Sequence, residues 1–153
     1  KLVDVSGLET QIVVGPVNPH IDTLRQEIES GVSSFQLVIE SADMPQLMAW
    51  ADIAINAGGS TCWELCCLGV PMIIMVTSQD QALIGSGLEW EGCAKNLGRW
   101  DIDTGVPRFV RVVEGLLEDS DNRSAMSSQG QMLVDGRGAE RVVDSLMTLS
   151  GNK

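Results

Sequence analysis

The chain has 153 residues, 44% hydrophobic and 20% charged, a globular composition long enough to bury most of its unfolded surface in one domain. Ten basic against 21 acidic residues give a formal charge of −11, which repels polynucleotides and anionic lipid and argues against nucleic acid as a partner. Apolar runs stay strand-length, short of the ~18 residues of a membrane span, and residues 1–6 are too short and polar for a signal peptide, so a cytoplasmic location is expected.

Residues 9–15 read as a first strand ending on Gly15. A turn through Pro16, Asn18 and Pro19 follows, and Ile21, Leu24 and Ile28 recur at helical spacing up to Gly31, which suits a position just past a helix end. Residues 35–40 make the second strand, and residues 44–51, with Leu47, Met48 and Trp50, a short second helix. Residues 52–55 predict a third strand buried on both faces, and residues 70–76 a fourth. Between them, Asn56-Ala57-Gly58-Gly59-Ser60-Thr61 makes a glycine-rich turn into a helix that Thr61 opens, a right-handed βαβ unit.

A polar loop over residues 77–81 leads to a helix over 82–90, which Gly85 and Gly87 weaken by about 1 kcal/mol each relative to alanine. Residues 93–98 predict a last strand and 100–105 a surface loop. From 106 to 117, Phe109, Val110, Val113, Leu116 and Leu117 define one face of an amphipathic helix, with Pro107 in its first turn. Asp121 is expected to cap a helix carrying Met126, Met132 and Leu133, and a turn over 135–138 precedes a final helix over 139–149. Strands alternating with helices predict an α/β fold: a single Rossmann-like domain over residues 1–153, with a parallel sheet covered by helices on both faces.

In such open sheets ligands bind beyond the carboxyl ends of the strands, where the loops at 15–20, 40–44, 57–61 and 77–81 would gather. Gly58 and Gly59 admit a sharp turn and close approach, and the first amides of the helix after them have no intrahelical partner and favour an anion. Glu40 ends the second strand where a dinucleotide-binding fold places its ribose-binding acid, yet Gly15 opens no G-x-G-x-x-G, and no Lys-Ser or Lys-Thr follows the glycine pair as a P-loop requires.

Glu64 has two readings. Thr61-Cys62-Trp63-Glu64 satisfies a capping box, favoured by spacing alone; alternatively the carboxylate accepts both hydroxyls of a ribose. Asp80 and Gln81 either bind the hydroxyls of a sugar or cap the next helix. His20, the lone histidine, precludes a multi-histidine metal site and is expected at an exposed helix start. Cys62, Cys66, Cys67 and Cys93 lack zinc-ligand spacing and read as small buried thiols in a reducing compartment. No metal or cofactor is called for.

The stretch from Leu47 to Glu64, with Leu68-Gly69-Val70-Pro71 and Asp80-Gln81, resembles the carboxyl-terminal, nucleotide-sugar-binding lobe of GT-B-fold glycosyltransferases. Its likeness extends to the peptidoglycan N-acetylglucosaminyltransferase and, more closely, to the UDP-sugar hydrolase of pseudaminic acid biosynthesis. The latter wording is carried by Gly58-Gly59-Ser60-Thr61-x-Trp63-Glu64, by Asn18-Pro19-His20 and by the segment from Leu133 to Val143. The resemblance implies diphosphate on the amides of Gly58, Gly59, Ser60 and Thr61, and ribose on Glu64. It implies uracil near Ser41, Ala42 and Met44, and the sugar near Asp80 and Gln81, with Asn18 and His20 on a loop facing the interlobe cleft.

Such enzymes have a second, amino-terminal lobe, which in the hydrolase carries the catalytic histidine; His20 does not occupy that place. The resemblance therefore implies a lobe that binds a UDP-sugar (a UDP-diacetamido-trideoxy-hexose in the hydrolase) with the amino-terminal lobe as partner and no catalytic residue of its own. The alternatives are the donor-binding lobe of a family 28 type glycosyltransferase and a non-catalytic α/β binding module.

Overall fold

The computed structural model describes residues 7–31, 35–41 and 43–150. The chain divides into two compact units, residues 1–44 and 45–153.

In the first unit, β1 (Thr10–Val14) and β2 (Phe35–Ile39) pair in parallel, with Thr10 opposite Phe35 and Val14 opposite Ile39, and α1 (Ile21–Gly31) makes the crossover. Ile21, Leu24 and Ile28 form the half-buried stripe of α1 and the intervening residues are exposed, as their spacing predicts. Gly31 is the last residue of the helix instead of lying beyond it. The Glu40 amide extends the ladder by donating to Val14 O at 3.2 Å, and Glu40 adopts φ +55°, alone in this region among the described non-glycine residues.

The second unit holds most of α2 (Met44–Trp50), a parallel sheet in the order β3 (Ala54–Asn56), β4 (Met72–Val76), β5 (Ala94–Arg99), and the helices α3 (Thr61–Leu68), α4 (Gln81–Trp90), α5 (Ile102–Glu118), α6 (Ser120–Leu133) and α7 (Gly138–Ser150). Alternate side chains of a strand point to opposite faces, and Met72, Ile73 and Ile74 are all fully buried, so both faces of β4 are covered. Ile73 packs with Leu97, Leu116 and Met126 on one face. The edge strand β3 departs from expectation: it is shorter than residues 52–55 suggested, and Ile55 is 46% exposed, so β3 is not buried on both faces.

Helix ends explain three further departures. Residues 102–105, expected in a loop, already belong to α5: the Gly105 amide donates to Asp101 O at 2.7 Å, and a Cβ on Gly105 would stand 3.1 Å from the Trp100 ring. Pro107 therefore lies past the first turn, where its missing N–H forgoes one ladder bond. Asp119, not Asp121, caps α6, accepting from the Asn122 amide at 2.9 Å. At the end of α3, Gly69 takes φ +71° and the amides of Gly69 and Val70 donate to Cys66 O and Leu65 O, a Schellman closure that aims the chain into β4.

Among the described residues no helix is long and apolar enough to cross a membrane. Cys62, Cys66 and Cys93 are buried, whereas Cys67 is exposed, against the expectation for it, because it lies on the outer side of α3.

Candidate functional site

The turn from β3 into α3 lies at the carboxyl end of its sheet. Inside it, the Gly59 amide donates to Ala57 O at 2.7 Å, Cys62 to Gly59 O at 3.1 Å and Trp63 to Ser60 O at 3.0 Å. Among the described residues nothing accepts from the amides of Gly58, Ser60 and Thr61. Unpaired amides at the positive end of a helix dipole make a local anion site within an acidic chain. No Cβ at Gly59 would meet an atom within 4 Å, so its outer side is open to a ligand. Gly58 is different, since its Cβ would stand 2.7 Å from Gln81 O and 3.2 Å from Gln81 Cβ. The glycine pair thus divides its roles, one closing the turn against the β4–α4 loop and the other leaving space.

The capping box does not form. Ser60 holds the N-cap position with helical φ −60° and ψ −29° and no side-chain cap bond, so Thr61 lies within the helix. A hydroxyl reaches back to the third amide from an extended backbone, and Ser60 is not extended. Glu64 is exposed on the first turn of α3 and has no hydrogen-bond partner among the described residues. The spacing-based preference for a cap is therefore overturned, and the carboxylate is free beside the open amides.

The β4–α4 loop is closed by one side chain. Gln81 Oε1 accepts from Thr77 N at 2.9 Å, Thr77 Oγ1 at 2.9 Å and Ser78 N at 3.2 Å, leaving the Nε2 hydrogens as its unused donors. Asp80 holds the N-cap position of α4 but makes no side-chain cap bond and is exposed. The structure thus brings residues 58–64 and 77–81 together through the contact of Gly58 with Gln81.

In the first unit, Asn18 Oδ1 accepts from the His20 amide at 2.8 Å and the Asn18 amide donates to Gly15 O at 3.1 Å, a turn that leaves the His20 ring exposed at the start of α1. Ser41 Oγ accepts from Asp43 N at 3.1 Å, and Met44 opens α2 half-buried. Ala42 lies outside the described residues.

The buried thiols are not poised for chemistry. Burial pushes Cys66 up to about 12, with the neighbouring Cys93 adding to the shift, and burial likewise raises Cys62 and Cys93. A protonated thiol is neither a strong nucleophile nor a metal ligand. Among the described residues no group of His, Cys, Asp and Glu is arranged to hold a metal ion.

One feature escaped the sequence reading: a pocket of about 550 Å³ between the β4–α4 loop, α4 and β5, with Ser86, Asn96 and Arg99 in its lining. The i, i+4 spacing of Ala82 and Ser86 on the helix was the available signal, but β5 contributes the rest and its register was not readable.

Comparison with known proteins bears on family and fold. The chain is 28% identical over 151 residues to the spore coat polysaccharide biosynthesis protein SpsG of Bacillus subtilis, covering 97% of this chain and 43% of that protein. It is 26% identical over 144 residues to the UDP-N-acetylglucosamine--N-acetylmuramyl-(pentapeptide) pyrophosphoryl-undecaprenol N-acetylglucosamine transferase of Lacticaseibacillus casei, covering 91% of this chain and 39% of the transferase. The chain thus spans less than half the length of these relatives. Its fold matches the spinosyn rhamnosyltransferase SpnG, solved with thymidine diphosphate, at a TM-score of 0.72 and 20% identity, over 94% of this chain and 37% of that one. The α/β architecture, parallel sheets flanked by helices, is that of a GT-B glycosyltransferase lobe. Residues 15–132 match the glycosyltransferase family 28 C-terminal domain, and the chain belongs to that family.

Proposed function

We propose that this chain is the donor-binding lobe of a family 28 glycosyltransferase and that its ligand is a UDP-sugar. The observation that carries the reading is the set of unpaired amides at Gly58, Ser60 and Thr61 beside the free carboxylate of Glu64. Amides at a helix start suit a diphosphate, and a carboxylate one turn on suits the paired hydroxyls of a ribose. Asp80 and the unused Gln81 amide, on the adjoining loop, supply an acceptor and donors for sugar hydroxyls. The roles of Ser41, Ala42 and Met44 toward uracil, and of Asn18 and His20 toward the sugar or diphosphate, rest on the family resemblance alone.

Between the two enzymatic readings, transfer is better supported than hydrolysis. The family is one of glycosyltransferases, and one relative is named for transfer of N-acetylglucosamine from its UDP conjugate. The pseudaminic acid hydrolase keeps only its wording in the motifs. In either case the lobe holds the donor, stabilises charge developing on the departing UDP, and relies on an amino-terminal lobe for the remaining chemistry. Alone it binds without turning over.

Isothermal titration with UDP, UDP-N-acetylglucosamine and NAD tests this. Both uridine ligands are expected to bind and NAD not to. No heat with either uridine ligand at millimolar concentration overturns the reading and leaves a non-catalytic α/β module in its place.

A further inference from the structure

The pocket between α4 and β5 has a charge character opposite to that of the molecule. The chain carries −11, yet no Asp or Glu lines this cavity and Arg99 does. Asp80, adjacent on the loop, is not among the lining residues, and Glu89 of α4 turns its Oε1 to the Asn96 amide at 3.0 Å. Arg25, Arg137 and Arg141 are paired with carboxylates, and Arg108 and Arg123 are bound to backbone carbonyls. Among the described residues nothing accepts from Arg99.

The remaining polar groups divide by element. On the β5 side, Asn96 Oδ1 accepts from the Gly98 amide at 2.9 Å, which leaves the Asn96 Nδ2 hydrogens as unused donors in a cavity that Arg99 also lines. On the β4–α4 loop and α4, two hydroxyl protons are engaged, Ser86 Oγ donating to Ala82 O and Thr77 Oγ1 to Gln81 Oε1, each at 2.9 Å, and Ser78 and Gln79 also line the cavity. What Ser86 and Thr77 still offer is acceptor lone pairs. A cavity lined by a guanidinium, amides and hydroxyls, with no carboxylate, is matched by a ligand that combines an anionic group with hydroxyls.

We propose that this pocket binds a sugar bearing an acidic group, a carboxylate or a phosphate, with the anion on Arg99 and Asn96 and hydroxyls on Ser86 and Thr77. The assignment uses none of the groups that the donor reading gives to diphosphate or ribose, and it stands or falls separately.

Glucose, glucuronate and glucose-6-phosphate share a hexose ring and differ in the acidic group, so they serve as probes, followed through the backbone amide resonances of Ser78, Gly98 and Arg99. At least one acidic sugar is expected to give saturable shifts with affinity about tenfold or more above that of glucose, the difference one charge-assisted hydrogen bond makes. Which of the two wins identifies carboxylate or phosphate. Arg99→Met should erase the advantage and Arg99→Lys retain part of it. Ser86→Glu places a carboxylate on the opposite wall and should have the effect of Arg99→Met without altering the arginine, which keeps the test decisive if one variant folds poorly. Equal affinity for all three sugars, no saturable shift, or discrimination that survives both Arg99→Met and Ser86→Glu overturns the proposal. UDP affinity is measured in parallel: its absence removes the donor reading and leaves the pocket result intact, and the converse holds.

Discussion

The backbone carbonyl oxygen of Gln81 lies 2.7 Å from the point that a Cβ on Gly58 would occupy. A real Cβ does not approach an oxygen so closely, and the obstacle is backbone, not a side-chain tip that can swing aside. Gly58→Ala is therefore expected to separate the β3–α3 turn from the β4–α4 loop, destabilise the fold by about 1–3 kcal/mol and weaken UDP binding with it. Gly59→Ala, which meets open space, should leave stability nearly unchanged and act on UDP alone. Urea denaturation and titration of both variants separate the two glycines, and equal destabilisation would refute the division of roles.

Gln81 acts on the same loop from its other end. Its Oε1 gathers two amides and a hydroxyl, and removing it in Gln81→Leu leaves Thr77 and Ser78 to water. These groups are exposed, so the stability cost should be small, about 1 kcal/mol, while the loop loosens. Hydrogen exchange is the direct readout: the Thr77 and Ser78 amides should lose protection in Gln81→Leu and keep it in Gln81→Glu, which retains an acceptor.

Glu64 makes no cap in the structure, which turns the question of its role into a measurement. Glu64→Gln should leave the melting temperature unchanged and reduce UDP affinity about tenfold. The loss should shrink when the ligand is 2′-deoxy-UDP, because a ribose hydroxyl that the carboxylate accepts from is then absent. A drop in stability with unaltered affinity would restore the capping role.

The sequence revealed elements more readily than their ends. Apolar patterning located β4, buried on both faces, and α1 and α5, which bury one stripe each, while turn and cap chemistry pointed to α3, α6 and α7. Two helix starts were misread: Gly105 lies against the Trp100 ring and α5 begins a turn earlier, and Asp119 was overlooked because Asp121 offers the same chemistry two residues later. The capping box at Thr61 matched a spacing, but spacing does not fix φ and ψ, and Ser60 enters the helix in a helical conformation. The turn at residues 58–61 was legible from glycine and helix-start chemistry. The Gly59 amide is taken by Ala57 O within the turn itself, a matter of φ and ψ that composition does not fix, whereas the Gly58–Gln81 contact and the α4–β5 pocket depend on segments distant in sequence.

Cysteine reactivity follows burial. Cys67 is exposed, while Cys62, Cys66 and Cys93 have thiols held protonated by burial. At mildly alkaline pH an alkylating reagent should label Cys67 quickly and the other three at the rate of unfolding, which mass mapping of labelled peptides resolves. The Cys66 pKa lies above its ordinary value of 9.0, so the folded state binds this proton more tightly than the unfolded state does. That contribution is complete below pH 9 and is lost as the pH climbs from 9 toward about 12. Stability should therefore fall across that alkaline window, and Cys66→Ala should flatten the fall.

The entry to α7 is governed by one carboxylate with the opposite sign. Asp135 accepts from the Arg141 guanidinium at 2.7 and 3.0 Å and from the Arg137 amide at 3.0 Å, and these bonds, Arg141 first, lower its pKa from 3.8 to about 2. Arg137 in turn donates to Glu140 at 2.8 Å, so both arginines fix the first turn of the helix. A folded pKa below the unfolded one means that the contribution is complete above pH 3.8 and is lost as the pH falls toward 2. Carboxyl-carbon NMR should show Asp135 titrating below its ordinary value of 3.8, with protection of the Arg137 amide vanishing in step. Asp135→Asn should abolish the low titration and let the first turn of α7 fray at neutral pH, while leaving the buried strand β4 as protected as before; an unchanged Arg137 amide in that variant would show that the turn is held by something other than this carboxylate.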